Sequence, residues 1–75
     1  MPLTFNQLLR IVKDFWFRKV RIRWSHYRFE LNWKWVTIPF HKELPPKTSK
    51  SILKDISDIV WIDYKDLIKK YNIKL

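Results

Sequence analysis

Residues 17–41 read FRKVRIRWSHYRFELNWKWVTIPFH, and this stretch decides the fold. Val20, Ile22 and Trp24 alternate with Lys19, Arg21 and Arg23, and Tyr27, Phe29 and Leu31 alternate with His26, Arg28 and Glu30. Val36, Ile38 and Phe40 continue the same period of two, which is the pattern of strands with one buried face. Three strands are therefore expected, the first from Phe17, the second from His26 and the third over residues 35–41, with a turn at residues 32–34. Pro39 lacks a ladder donor, so the third strand should lie at a sheet edge or end in a bulge. Val20, Ile22, Tyr27, Phe29, Val36, Ile38 and Phe40 form the expected inward set. Lys19, Arg21, Arg23, His26, Arg28 and Thr37 are left on the open face, a basic plate with one imidazole.

Working outward, Thr4 and Gln7 fit a capping box, and Phe5, Leu8, Leu9, Val12 and Phe15 recur at helical spacing. A helix over residues 5–15 follows. On the other side, Glu43-Leu44-Pro45-Pro46 has linker composition, and Thr48 can cap a second helix with Ile52, Leu53 and Ile56 as its stripe, ending near Ser57. Asp63 reads as the cap of a short third helix, with Ile62 stapling to Leu67 and Tyr64, Leu67, Ile68 and Tyr71 on one face. The order α-β-β-β-α-α gives an α+β domain, an antiparallel sheet with helices on one side.

Seventy-five residues make one domain with a modest core. We read residues 1–75 as that single domain, with 1–59 as the core and 60–75 as a C-terminal helical extension. Sixteen Lys and Arg against seven Asp and Glu give a net charge of +9, which favours a polyanionic partner. Residues 1–42 hold nine of those cations against Asp14 and Glu30, a net +7, while residues 43–75 hold seven against five, a net +2. The charge follows the strands. The absence of cysteine excludes disulfides, thiolate metal sites and a cysteine nucleophile, and the absence of glycine excludes P-loops and dinucleotide fingerprints. No apolar run reaches the length of a signal-peptide core or a membrane span, so the chain reads as soluble and cytoplasmic. A cationic, Trp-rich, membrane-active protein is disfavoured by the strand periodicity, because interfacial peptides need one long amphipathic helix.

Residues 17–56 resemble the HicA family of bacterial toxins. The resemblance is carried by Phe17-Arg18-Lys19-Val20, by Ser25-His26-Tyr27-Arg28-Phe29, by Val36-Thr37-Ile38-Pro39 followed by His41, and by Ser51-Ile52-Leu53-Lys54. It implies a double-stranded-RNA-binding-like α-β-β-β-α fold, here with an extra C-terminal helix. It also implies a toxin that cleaves mRNA and is neutralised by a HicB-like antitoxin. The family pattern has glycine before Ser-His and before the Phe of the first strand, where this chain has Trp24 and Trp16. With glycine at all five tryptophans, Asn32-Trp33-Lys34-Trp35 becomes Asn-Gly-Lys-Gly, a hairpin signal. Some bacterial lineages decode UGA as glycine, and translation of such a gene with UGA as tryptophan would produce this pattern; genuine tryptophans on a divergent protein are the alternative.

His26 is the residue that the resemblance marks as catalytic. Metal-independent RNA cleavage needs a base for the 2′-OH proton and cations to stabilise charge at phosphorus, so an endoribonuclease without cofactor or metal is expected. Lys19, Arg21, Arg23 and Arg28 are the expected RNA-binding residues, by phosphate neutralisation. His41 falls at a family-like position, as a turn residue or a proton carrier. Asp55, Asp58, Asp63 and Asp66 read as caps and surface charges and give no case for a metal site. Ser25 stands on the opposite strand face from its neighbour His26, which argues against a nucleophile pair. Trp33 and Trp35 are candidates for base stacking. A non-catalytic RNA-binding module of the same fold is the competing reading, should Trp24 distort the active loop.

Overall fold

A computed structural model describes residues 3–73; Met1, Pro2, Lys74 and Leu75, which the single-domain reading includes, lie outside the described residues. The elements are β1 (Leu3–Thr4), α1 (Phe5–Asp14), β2 (Arg18–Arg23), β3 (His26–Leu31), β4 (Lys34–Pro39), β5 (Glu43–Leu44), α2 (Pro46–Val60) and α3 (Tyr64–Lys70). Helix α1 starts as its sequence predicts. The Thr4 hydroxyl accepts from the Gln7 N–H at 3.2 Å, and the Gln7 side chain accepts from the Thr4 N–H at 2.8 Å. That reciprocal pairing satisfies two helix-terminal donors.

Strands β2, β3 and β4 form an antiparallel sheet in that order, so β4 lies at an edge and tolerates Pro39 at its last position. The remaining pairing, β1 with β5, joins Leu3 to Leu44 and Thr4 to Glu43 and fastens the start of the chain to the approach to α2. No alternation in so short a segment announces it. Helices α1 and α2 pack over β4, and the core gathers Leu8, Ile11 and Val12 of α1, Phe29, Val36 and Ile38 of the sheet, and Leu53 and Ile56 of α2. Burying each such side chain is worth about 1.5–3 kcal/mol.

Helix α2 differs from expectation at both ends. It begins at Pro46, with Pro45 as an N-cap that makes no side-chain hydrogen bond, and Thr48 lies inside the helix. Proline at the first helical position needs no N–H partner and sets φ in advance, so it displaces the threonine as the start. Its end is Val60 rather than the neighbourhood of Ser57, because Ile59 is buried and the chain turns only at the left-handed residue Trp61. Helix α3 is capped by Asp63, whose carboxylate accepts from the Lys65 N–H at 2.8 Å. It docks through buried Leu67, and the Tyr71 hydroxyl donates to Asp14 Oδ2 at 2.8 Å, tying the chain's C-terminal part to the end of α1.

The inward set is only partly enclosed. Tyr27, Phe29, Val36 and Ile38 meet the core, but Val20 and Ile22 remain 48% and 50% exposed and Phe40 55% exposed. The helices reach β4 and β3 and stop short of β2, all six residues of which are exposed. Phe40 falls past the end of β4 and stacks edge-on against Phe5, with ring centroids 4.8 Å apart.

Candidate nucleic-acid interface

The β2–β3 hairpin sets the site. Arg23 pairs with His26 across the two-residue loop Trp24-Ser25, and Ile22 pairs with Tyr27 and Arg21 with Arg28. Directly opposed residues share a face. Since Tyr27 points to the core, Arg21, Arg23, His26 and Arg28 share the outer side. On β4, Thr37 pairs with Arg28 and joins them. These five side chains line one cleft of about 130 Å³.

The register between Lys19 and Arg21 shifts by a bulge at Val20. A bulge inserts one residue and reverses the facing of what lies beyond it. Lys19 therefore pairs with inward-facing Phe29, and Arg18 comes to the outer face opposite Glu30. Arg18 is neutralised there by an ion pair with Glu30 at 2.8 Å. Lys19 is thus not brought together with the other candidate cations, because uninterrupted alternation through Val20 does not hold.

Among the described residues no acidic side chain pairs with Arg21, Arg23 or Arg28. Arg21 and Arg28 stand directly opposite each other, an arrangement that is unfavourable in a free sheet by up to about 1 kcal/mol. An anion between them removes that penalty. The Arg28 guanidinium also lies 5.4 Å from the centroid of the Trp35 ring, which places an aromatic face beside the cations. His26 is exposed, and no side chain hydrogen-bonds to its imidazole among the described residues.

A wider open groove of about 530 Å³ runs between β4 and α2, lined in part by Trp35, Thr37, Lys47, Ser51 and Asp55, and it meets the cleft at Thr37. Lys47, Ser51 and Asp55 recur at i, i+4 spacing on one face of α2, a signal present in the sequence that strand-centred reading passes over. Burial, and then the neighbouring Asp58 charge, raise the Asp55 carboxyl above its usual range. His41 does not join His26: it follows β4, donates its N–H to the Pro39 carbonyl at 3.1 Å and lines a separate hollow with Thr4, Phe5 and Phe40. No group of three or more His, Asp or Glu with metal-binding spacing occurs among the described residues, and no helix among them is long and apolar enough to cross a membrane.

No curated protein and no solved structure matches it. The family model described as the HicA toxin of bacterial toxin–antitoxin systems matches residues 5–57, from the first residue of α1 into the last turn of α2. A toxin–antitoxin toxin with an antitoxin partner is what that membership implies, in a family generally made of mRNA-cleaving ribonucleases. With α1, the three antiparallel strands and most of α2 inside the matched residues, the chain belongs to the HicA toxin family.

Proposed function

We propose that the protein is a metal-independent endoribonuclease that binds mRNA on the outer face of β2 and β3 and cleaves it with His26. One observation carries this reading: an exposed imidazole shares a cleft with three arginines that have no acidic partner among the described residues. The imidazole of His26 takes the proton of a ribose 2′-OH, and the 2′-oxygen attacks the adjacent phosphorus. The bond to the 5′-oxygen breaks, leaving a 2′,3′-cyclic phosphate, and the imidazolium returns its proton to the departing 5′-oxygen. Arg21, Arg23 and Arg28 hold the phosphate and stabilise the charge that grows on it. Lys19, off that face, adds long-range attraction for the strand.

The neutralising partner is a HicB-like antitoxin with an acidic surface that covers Arg21, Arg23, His26 and Arg28, and charge complementarity speeds the encounter. In this reading residues 1–59 are the toxin core and residues 60–75 an extension that carries α3, acting together in the cytoplasm. Among the described residues no side chain hydrogen-bonds to His26, which favours, as a second reading, an RNA-binding module without catalysis, since a general base is normally oriented by a partner.

One experiment separates the two. Purified protein is incubated with RNA in chelator, and His26→Ala is compared with the parent while thermal melts confirm the fold. A loss of about 10²–10⁴ in cleavage rate is expected, the usual contribution of a positioned base. Cleavage that persists in His26→Ala removes the catalytic assignment, and RNA binding without cleavage by the parent establishes the second reading. Added antitoxin should stop cleavage, and a complex that leaves His26 open to solvent contradicts the proposed docking.

A further inference from the structure

Six residues in the described chain have left-handed backbone, with φ between 52° and 68°: Trp16, Trp24, Asn32, Trp33, Trp61 and Asn72. Apart from two asparagines, which tolerate this region, all are tryptophan. In L-residues a Cβ crowds the neighbouring carbonyl there, so glycine is the usual occupant.

Each site also has a hydrogen-bond pattern of its own. At the end of α1, the Trp16 N–H donates to Lys13 O at 3.1 Å and the Phe17 N–H to Val12 O at 2.9 Å, the paired bonds of a Schellman ending with Trp16 in the glycine position. At the end of α2, the Ile62 N–H donates to Ser57 O at 3.2 Å around Trp61. Helix α3 ends in the same way, with Asn72 N–H to Lys69 O at 3.2 Å and Ile73 N–H to Ile68 O at 3.0 Å, and there the residue is asparagine. In the β3–β4 hairpin, Asn32 and Trp33 both have positive φ, the conformation that selects Asn-Gly. In the β2–β3 hairpin only the first loop residue, Trp24, does, and two-residue loops of that kind take glycine first.

The rings give no countervailing reason for tryptophan. Trp16, Trp24, Trp33 and Trp61 are 86–91% exposed, none belongs to the core, and none makes a stacking or cation–π contact among the described residues. Trp35 differs: it lies within β4, has no positive φ, and carries Arg28 against its ring.

We propose that positions 16, 24, 33 and 61 are glycine in the working protein, the tryptophans arising where one codon is read differently. Two helix endings and both hairpin loops of the nuclease sheet then have the residue their backbone requires. The hairpin that presents His26 closes on glycine instead of on a bulky residue held in a disfavoured conformation. This stability claim stands apart from the nuclease reading; only its cleavage arm rests on it.

The test compares thermal melts of the parent, of a variant with glycine at all four positions, and of one with alanine at all four. The glycine variant should melt higher by on the order of 10 °C. Alanine keeps the Cβ, so its variant should gain less than half of that, while Trp16→Asn with Trp61→Asn should recover part of it, as Asn72 does in α3. A glycine variant that melts at or below the parent overturns the proposal, as does an alanine variant that matches it, since the gain would then come from removing rings. Faster RNA cleavage by the glycine variant extends the effect to the His26 hairpin. A higher melting temperature with no cleavage upholds the glycine sites and counts against the nuclease reading alone. Peptide masses of the protein from the cells that carry its gene should read glycine at 16, 24, 33 and 61, and tryptophan there overturns the proposal outright.

Discussion

The two edges of the sheet live in different surroundings. Strand β4 has α1 and α2 over it and buries Val36 and Ile38 almost completely, whereas β2 has no helix over it and exposes every residue, Val20 and Ile22 included. The covered edge holds the fold, and the open edge displays Arg21 and Arg23, which have no acidic partner among the described residues. Arg21 on this edge and Arg28 on the neighbouring β3 share the outer face, where solvent screens their repulsion. A bulge at Val20 and a row of cations also protect this unpaired edge from joining other strands.

This division can be broken most forcefully from the covered side. Leu53→Ala, at a fully buried position of α2, should cost about 2–5 kcal/mol. A domain this small has a total stability near the lower end of ~5–15 kcal/mol, so denaturant melts should show a largely unfolded chain at physiological temperature. A loss below 1 kcal/mol would mean that the core is looser than the burial implies.

An intermediate effect is expected on the outer face beside the open edge, in binding alone. Arg28→Gln should leave the melting temperature within a few degrees of the parent. Binding to single-stranded RNA should weaken, and the slope of log affinity against log salt should flatten by about 0.7 for the lost phosphate contact. An unchanged slope would show that Arg28 meets no phosphate.

The smallest effect sharpens the link between α3 and α1. Burial, then the hydrogen bond to Asp14, pushes the Tyr71 hydroxyl up to about 12 from an ordinary 10.0. A folded value above the unfolded one means that this contribution is fully present below pH 10 and is lost as pH rises towards 12. Tyr71→Phe should be destabilised by no more than about 0.5–1 kcal/mol near neutral pH, the bond being solvent-screened. The gap from the parent should close across that alkaline window. A gap that stays constant with pH would assign the loss to packing.

Much of this architecture is legible in the sequence because periodicity reports burial. The period of two over residues 17–41 gives the three strands, and Thr4 with Gln7 gives the start of α1. What escapes is what periodicity does not encode. Alternation gives Val20 and Ile22 an inward face but says nothing of whether a helix reaches that far. The bulge that carries Lys19 off the plate leaves no trace in composition, so one of the expected RNA-binding residues lies apart from the other three. The end of α2 escapes for a different reason: Trp61 gives no stop signal of the kind that glycine gives at a helix terminus. The family resemblance supplies a role for His26 that a lone imidazole on a strand does not state. The candidate site's location, on the face away from the helices, follows from alternation alone.

The left-handed turn that closes α1 at Trp16 precedes every strand of the β2–β3–β4 sheet. If its codon is the one read as glycine, a cell that treats the same codon as a stop would release residues 1–15, which carry the α1 sequence but none of the three-stranded sheet, the arginine cleft or His26. A cell that reads it as tryptophan would complete the chain with four bulky residues in turns that disfavour them. Only a cell sharing the gene's own code would make the unhindered toxin. The geometry of one helix ending would then act as a barrier to inheritance, disarming the gene on transfer to a lineage with a different code.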